Sequence, residues 1–342
     1  MHMDDMSERM VFIIGSPRSG STLLERMVSS HSAVLGGPEP HLLTPLAHLG
    51  YFETVDRAPY DHLRAVDAQR DFIASLPGGE ADYLDALRAY CSILYGRKIA
   101  STGKHYYLDK TPAYALVLPF IRRVFPRAKY IVLTRHPAAI FNSYADSFFE
   151  GDWRAAHEYN PIVERYVPAI ARFLQDPVEF LVHVRYEDLV RNAEEHMRRI
   201  CDMLDLEYES GMVEYGSKQR LEKGLGDPFG VSQHSRPVTS SIHKWVVNVL
   251  QDPEKESMLR TMIDDCDTKE LETWGFPKDS IFEPLDNPPE GVRTRGKKRK
   301  KRKFSGFRFQ RIILRILRRN IHQNAFGRFI RKVRFTCDVL LR

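Results

Sequence analysis

A short loop between a hydrophobic segment and a helical segment constrains the fold of this sequence more than any other feature. Residues 10–14 are apolar and mostly β-branched or aromatic, which predicts a buried strand. The loop GSPRSGST follows from Gly15 to Thr22, and a helix is predicted from about Ser21 to Ser29. A strand, a glycine-flanked loop and a helix in this order are typical of the opening unit of a phosphate-binding α/β fold.

The loop differs in one residue from the loop that binds nucleoside triphosphates. Gly15 and Gly20 have the G-x-x-x-x-G spacing and Thr22 occupies the usual Ser/Thr position, but Ser21 replaces the lysine. Because that lysine reaches the β- and γ-phosphates, its replacement disfavours a kinase or an ATPase. The loop amides, the helix N-terminus and Arg18 still favour a 5′-phosphate. The alternative is an ordinary strand, turn and helix with an incidental arginine.

Apolar segments recur along the chain in alternation with helical patterns. Because such alternation favours a parallel sheet covered on both faces, we predict an α/β, P-loop-like fold with a basic helical C-terminal tail. Further strands are predicted at 33–35, 106–108, 129–133 and 180–184, and further helices at 61–75, 80–96, 114–125, from 137 onward and near 192–204.

A second candidate anion site follows the predicted strand at 129–133. Arg135 comes at the end of this strand, Pro137 suits the first position of a helix, and Ser143 lies two turns further on. A guanidinium at the carboxyl end of a strand, with a hydroxyl on the next helix, suits an isolated phosphate. The alternative is a capped helix start with a solvent-facing serine. Together, the two sites match an adenosine phosphorylated at its 3′ and 5′ positions.

The composition indicates one large domain in a reducing compartment. The chain has 342 residues, 43% of them hydrophobic, which is enough for an α/β domain with a substantial core. Its cysteines lack metal-ligand spacing and are predicted to be reduced and mostly buried. No uncharged apolar run reaches the length of a membrane span, so we expect a cytoplasmic protein, with peripheral membrane attachment as a further option. The cysteines are Cys91, Cys201, Cys266 and Cys337.

Charge is distributed unevenly along the chain. Residues 292–342 contain 19 Lys and Arg and one acidic residue, Asp338. The totals of 51 basic and 45 acidic residues therefore leave 32 basic and 44 acidic ones in residues 1–291. An acidic catalytic domain carrying a very basic tail is predicted. The expected parts are the domain at 1–283, a Pro/Gly-rich linker at 284–296 and the tail at 297–342.

The tail predicts a negatively charged partner. Isoleucine and leucine residues at 312–317 recur at helical spacing between arginines, which is typical of a basic amphipathic helix. For residues 297–335 an anionic membrane surface or an acidic partner protein is the first candidate. Docking on the acidic domain of the same chain is the second, and nucleic acid is the least favoured. The alternative is a packed C-terminal helix whose arginines face solvent.

In the loop from Gly15 to Thr22, and at Arg135 and Ser143, the chain resembles the sulfotransferase family that uses 3′-phosphoadenosine-5′-phosphosulfate (PAPS). The resemblance covers most of residues 10–275 and is nearest to the branch of tyrosylprotein sulfotransferases and their bacterial relatives. It implies that the loop holds the 5′-phosphosulfate, that Arg135 and Ser143 hold the 3′-phosphate, and that Tyr186 contacts the nucleotide. The implied loop contacts are Ser16, Pro17, Arg18, Ser19, Gly20, Ser21 and Thr22.

Three further segments carry the resemblance. Glu39, between Pro38 and Pro40, stands where that branch keeps its catalytic glutamate. The DKTP segment at 109–112 is similar to a lysine-containing segment of the family, and residues 236–245 are similar to its late proline-valine and Lys-Trp stretch. The tyrosylprotein enzymes also have a membrane anchor and luminal disulfides, which this sequence does not show. The acceptor therefore does not carry over from that branch.

Sulfuryl transfer requires an aligned acceptor, a base for its proton and positive charge on the leaving phosphate. Glu39 follows a Gly-Gly-Pro loop after a short strand, which predicts a place at the ligand-binding edge of the sheet, and it is the candidate base. His41 is a competing base or part of the acceptor pocket. The alternatives are a solvated loop glutamate and a surface histidine.

Several cations complete the predicted site. Arg18 and Lys110 are expected to stabilise the leaving group and the sulfuryl oxygens, although Lys110 has the alternative of a solvated lysine beside a turn. Lys244 is expected to reach a cofactor phosphate, unless it is a helix lysine beside a core tryptophan, and Ser232 to contact the leaving oxygen. No metal site is predicted. The histidines expected to be structural are His136, His183 and His243.

The sequence therefore predicts an enzyme that moves a sulfuryl group from PAPS to a hydroxyl or an amine. A nucleotide-dependent kinase or other P-loop phosphotransferase is the first alternative, and the missing loop lysine opposes it. A catalytically silent binding module is the second alternative. No segment encodes the acceptor, which leaves peptide tyrosine, carbohydrate, lipid and small-molecule alcohols open.

Overall fold

Five parallel strands form the centre of the domain. The computed structural model describes residues 6–52, 62–176, 178–217 and 235–289. The strand order is β2-β3-β1-β4-β5, and every neighbouring pair is parallel. The predicted α/β class and its parallel sheet are confirmed. The strands are β1 (Met10–Gly15), β2 (Val34–Leu35), β3 (Tyr106–Asp109), β4 (Lys129–Thr134) and β5 (Leu181–Arg185).

Helices cover the sheet on both faces. Because side chains alternate along a strand, Phe12 and Ile14 pack on one face and Val11 and Ile13 on the other. The helices are α1 (Ser21–Ser29), α2 (Leu43–Ala47), α3 (His62–Ala74), α4 (Glu80–Ala100), α5 (Leu118–Val124), α6 (Pro137–Phe149), α7 (Trp153–Tyr159), α8 (Ile162–Gln175), α9 (Tyr186–Leu189), α10 (Ala193–Leu204), α11 (Lys244–Leu250), α12 (Pro253–Asp264), α13 (Thr268–Trp274) and α14 (Glu283–Asp286).

The two faces of the sheet are covered by hydrophobic clusters of different size. The face with Val11 and Ile13 is covered by α1, α9 and α10. The opposite face holds a larger cluster that draws on α4 to α8 and on α11 to α13. Strands β1 and β4 are buried along their whole length, whereas β5, at the sheet edge, alternates between buried and half-buried residues. The apolar runs of β1 and β4 thus reflect their central places in the sheet.

One predicted helix is wrong in part. Instead of a continuous helix at 114–125, the chain forms a 3-10 helix at Pro112–Leu116 and then α5, with a break at Val117. Each piece has a proline in its first turn, where the missing N–H costs no helical hydrogen bond. Pro119 therefore favours a new helix start over continuation of the preceding turn.

The described residues also bear on the predicted parts of the chain. Helix α14 includes the first residues of the predicted linker. The tail and Ser232 lie outside the described residues, as does Cys337. The other three cysteines are free and buried. Among the helices that are described, none combines the length and apolar character needed to cross a membrane.

Candidate functional site

Four strand ends bring the predicted site residues to one edge of the sheet. Strand β1 ends at Gly15 and leads into the loop that precedes α1. Strand β3 is followed by Lys110, β4 by Arg135 and β5 by Tyr186. Because all strands run in the same direction, these residues share the carboxyl edge, where ligands bind in open α/β sheets.

The loop after β1 has a strained, closely packed backbone. Gly20 caps α1 with φ 98°, a conformation that disfavours other residues, and Arg18 also has a positive φ of 68°. A Cβ on Gly20 would lie 2.5 Å from the ring of Tyr186, so only glycine allows this approach. Ser19 is fully buried, and its Oγ has no hydrogen-bond partner among the described residues. A buried hydroxyl without a partner favours a ligand that hydrogen bonds to it.

The two predicted anion sites are directly connected. Arg18 Nε donates a hydrogen bond to Ser143 Oγ at 3.2 Å. Arg135 Nη1 donates to the carbonyl oxygen of Arg18 at 3.1 Å. The structure therefore brings the loop arginine into direct contact with both Arg135 and Ser143.

Arg135 is held in a largely desolvated position. Its side chain is 8% exposed, its Nη2 donates to the carbonyl oxygen of Ser241 at 3.1 Å, and its guanidinium lies 4.3 Å from the centre of the Tyr186 ring. The Tyr186 hydroxyl pairs with Ser241 Oγ at 2.7 Å. Burial lowers the pKa of Arg135, and Tyr186 and Glu187 oppose that shift. A desolvated cation of this kind favours an anionic ligand.

A second cluster surrounds Glu39. Lys110 Nζ lies 2.5 Å from Glu39 Oε1 and 3.4 Å from Oγ1 of Thr22 in the loop helix. Lys110 is 1% exposed and the Glu39 side chain 14%. On the other side, His41 Nε2 lies 3.4 Å from Glu39 Oε2, and its side chain is 41% exposed. A carboxylate, an ammonium group and the Thr22 hydroxyl at the start of α1 thus meet beside the loop that follows β1.

Of the remaining predicted contacts, three lie in or next to the loop after β1, and one, Lys244, lies in a later helix. Ser16 and Pro17 lie in the loop, and Ser21 opens α1. Lys244 is an exposed residue at the start of α11, beside the fully buried Trp245, and none of the described contacts links it to the other candidates.

Sequence reasoning missed two partners in the site. Ser241, which contacts Arg135 and Tyr186, belongs to a short 3-10 helix at Thr239–Ser241; it lies within the family-like stretch at 236–245, but the sequence did not single it out. Glu187 accepts a hydrogen bond from the backbone N–H of His136 at 3.1 Å and is 5% exposed. Its position could have indicated a place in the site, because Glu187 directly follows Tyr186 at the end of a strand.

The histidines that we predicted to be structural are packed among other groups. His136 Nδ1 accepts from the N–H of Ala138 at 3.2 Å, its Nε2 pairs with the Ile281 carbonyl at 2.9 Å, and its ring stacks on Trp245. Burial lowers the pKa of His136 to about 4. Burial likewise lowers the pKa of His183 to about 4, and Thr134 pairs with its ring. Within the described segments, no cluster of three or more His, Cys, Asp and Glu is placed to hold a metal ion.

Comparison with known proteins gives one family. A family model described as "Sulfotransferase family" matches residues 10–210. This segment runs from β1 to the 3-10 helix at Ser210–Met212, so it contains the loop at 15–22, Glu39, Lys110, Arg135 and Ser143.

Individual relatives cover different shares of the chain. Nodulation protein NoeE of Sinorhizobium fredii is 32% identical over 130 residues, which are 38% of this chain and 29% of that protein. A putative protein-tyrosine sulfotransferase of Caenorhabditis briggsae is 25% identical over 243 residues, covering 70% of this chain and 81% of the relative. The solved sulfotransferase domain from the curacin biosynthetic pathway aligns with a TM-score of 0.47 at 24% identity, over 69% of this chain and 89% of that one.

Proposed function

Since this chain belongs to the sulfotransferase family, we propose that it moves the sulfuryl group of PAPS to an acceptor hydroxyl by in-line transfer, with Glu39 as the general base. The observation that carries the proposal is the contact network at the carboxyl edge of the sheet. Lys110 joins Glu39 to the phosphate loop, and Arg18 joins the same loop to the Arg135–Ser143 pair. An acidic group thus lies at one end of a connected set of cationic side chains.

The residues present fit a nucleotide with separate 3′ and 5′ anionic groups. The glycine-flanked loop and the N-terminus of α1 would hold the 5′-phosphosulfate, with the unpartnered Ser19 Oγ inside the loop. Arg135 and Ser143 would hold the 3′-phosphate. Arg135 Nε has no hydrogen-bond partner among the described residues, which suits an additional anionic acceptor.

The chemistry assigned to the protein is proton removal and charge stabilisation. Glu39 would take the proton of the acceptor hydroxyl as its oxygen attacks sulfur. Lys110 and Arg18 would stabilise the sulfuryl oxygens and the departing phosphate, because sulfuryl transfer resembles phosphoryl transfer in its loose transition state. His41, within 3.4 Å of Glu39 and partly exposed, would contribute to the acceptor side.

Hydroxyl acceptors are the first class to test. The Caenorhabditis briggsae relative, named a putative protein-tyrosine sulfotransferase, matches 70% of this chain. We therefore propose a phenolic hydroxyl, presented on a tyrosyl peptide, as the first acceptor to assay. Carbohydrate hydroxyls form the second panel.

A transfer assay tests this proposal. The full-length protein is incubated with ³⁵S-labelled PAPS and tyrosyl peptides, carbohydrates or a cell extract, and labelled products are identified by mass spectrometry. We expect transfer that falls by at least about 100-fold in Glu39→Gln, since a base contributes on the order of 10² to 10⁴ in rate. Unchanged transfer in Glu39→Gln would remove Glu39 from the mechanism.

Ligand binding separates the proposal from the kinase alternative. Adenosine 3′,5′-bisphosphate is expected to raise the melting temperature without Mg²⁺, because the predicted contacts are guanidinium and backbone groups. Stabilisation by Mg-ATP alone would instead indicate a P-loop phosphotransferase. A protein that binds the bisphosphate but labels no acceptor in any extract would match the silent binding module.

A further inference from the structure

A buried carboxylate directly before Lys110 has no part in the reaction proposed above. Asp109, the last residue of β3, is 1% exposed. Its Oδ2 accepts hydrogen bonds from the hydroxyls of Tyr95 at 2.6 Å and Tyr114 at 3.1 Å, and its Oδ1 accepts one from Thr111 Oγ1 at 3.2 Å. Burial raises the pKa of Asp109 to about 6, although these hydrogen bonds and Lys110 oppose the shift.

Tyr114 links this carboxylate to the segment that contains Glu39. Its side chain is fully buried, and its hydroxyl, while donating to Asp109, accepts a hydrogen bond from the backbone N–H of Leu43 at 3.2 Å. Leu43 is the first residue of α2, and Leu42 before it supplies no side-chain cap. Because the first N–H groups of a helix have no intrahelical acceptor, the Tyr114 hydroxyl takes the place of a cap.

The segment between Glu39 and Leu43 is anchored at both ends. Lys110 holds the Glu39 carboxylate and Tyr114 holds the N–H of Leu43. Between them His41 has φ 51°, a left-handed conformation that is unfavourable in a residue other than glycine. The two anchors depend on consecutive residues: Asp109, the last residue of β3, which holds Tyr114, and Lys110 directly after it. The end of β3 therefore positions both the base and its counter-cation.

We propose that Tyr114 is a positioning residue for Glu39, through hydrogen bonds that fix the start of α2 to Asp109 at the end of β3. The inference rests on the proposed function of Glu39 as the base. Tyr114 touches no reacting group; its hydroxyl sets where the 39–42 segment lies relative to Lys110 and the phosphate loop. A shift of about 1 Å in a catalytic group costs on the order of 100-fold in rate, so loss of one such anchor is expected to be visible in kcat.

Three Tyr→Phe variants separate positioning from general stabilisation. Tyr114→Phe is expected to lower kcat about tenfold, with the KM for PAPS unchanged within about twofold, because the phosphate contacts are untouched. Tyr95→Phe removes the other tyrosine donor to the same Asp109 oxygen but no contact to Leu43. It should lower the melting temperature similarly while kcat stays within about twofold of wild type.

Tyr130→Phe is the neutral control. Tyr130 is 2% exposed, and its hydroxyl has no hydrogen-bond partner among the described residues. Because a buried hydroxyl without a partner carries an uncompensated desolvation cost, its removal should leave kcat unchanged and should not lower the melting temperature. If Tyr114→Phe and Tyr95→Phe lower kcat equally, or neither lowers it, the positioning role is overturned.

Amide hydrogen exchange gives a readout independent of turnover. In the wild type, the Leu43 amide is expected to exchange more slowly than is usual for the first residue of a short helix. Its exchange should be faster in Tyr114→Phe than in Tyr95→Phe. Rapid exchange at Leu43 in the wild type overturns the inference even if Tyr114→Phe does not fold. Absence of wild-type transfer from PAPS overturns the proposed function instead, so the two failures are distinguishable.

Discussion

Lys110 Nζ lies 2.5 Å from Glu39 Oε1, so the candidate base is ion-paired with a lysine that is almost completely buried. One carboxylate oxygen thus faces the ammonium group, while the other lies 3.4 Å from His41 Nε2. If PAPS binds as proposed, its sulfonate would bring further negative charge to this lysine, and a sulfuryl oxygen would share the ammonium group with Glu39. Base and electrophile would then be aligned through a single cation.

Replacing Lys110 by methionine keeps the volume of the side chain and removes its charge. We expect kcat to fall by about 100-fold or more, as on removal of a preorganised charged donor, and stability to fall by about 2 kcal/mol, since Glu39 loses its partner. The transfer assay and urea denaturation measure the two effects. Lys269→Met, at an exposed position of α13, should change neither. Full activity in Lys110→Met would exclude Lys110 from catalysis.

Arg135→Lys keeps the charge but loses the planar fork that contacts Ser241, the Arg18 carbonyl and the ring of Tyr186. We expect the Kd for adenosine 3′,5′-bisphosphate to rise by about 30-fold. The Kd for adenosine 5′-phosphosulfate, which lacks the 3′-phosphate, should change less than about threefold. Isothermal titration gives both values, with Arg191→Lys, at an exposed position, as the control. Equal losses for both ligands would contradict a 3′-phosphate contact.

Gly20→Ala tests the close approach of the loop at 15–22 to Tyr186, the first residue of α9. The added methyl group would lie 2.5 Å from the Tyr186 ring at φ 98°, so stability should fall by about 2 kcal/mol or more and bisphosphate binding should weaken at least tenfold. Gly211→Ala adds the same group where no atom lies within 4 Å and should have little effect. Thermal unfolding with and without ligand compares the two variants, and equal behaviour would be inconsistent with the described packing.

The pH dependence of stability tests the burial of His136. Burial lowers its pKa from 6.5 to about 4, so between these values the unfolded chain binds a proton that the folded chain does not. Stability is therefore lost as pH falls from 6.5 to 4, by up to about 1.4 kcal/mol per pH unit for this group. His183 acts in the same direction, whereas Asp109, whose pKa burial raises to about 6, acts in the opposite one.

In His136→Asn the asparagine oxygen can still accept from the N–H of Ala138 and cap α6. The free energy of unfolding should then depend less steeply on pH between 6.5 and 4 than in the wild type. Urea denaturation at half-unit pH steps measures the two slopes. Parallel curves for the two proteins would mean that His136 titrates normally in the folded state.

The sequence was most informative where a strand ends. The segments 10–14 and 129–133 are apolar because β1 and β4 are covered on both faces. The ends of these strands could therefore be predicted from the ends of the apolar runs. The residues that follow those ends, Arg18 and Arg135, could therefore be placed at one edge of a parallel sheet. The predicted helix bounds 21–29 agree with α1, since a glycine-flanked loop defines its start.

Contacts between distant segments had no local signal. The hydroxyl of Tyr114 joins Asp109 to the N–H of Leu43, and nothing near either residue in sequence indicates the other. The contacts of Ser241 could not be predicted either, because a three-residue 3-10 helix is too short to show a periodic sequence pattern. The break at Val117 was missed because apolar spacing continues across it, and only the two prolines indicate separate helix starts.

The order of the strands has a consequence for biosynthesis. Strand β1 lies between β3 and β4, so its partners are Tyr107 and Lys129 and their neighbours, far later in the chain. A nascent chain that has passed the loop at 15–22 thus presents an apolar strand that has no partner until β3 emerges from the ribosome, and one open edge until β4 emerges. Such a topology folds slowly and is prone to misassociation, so the protein is expected to depend on chaperones during translation.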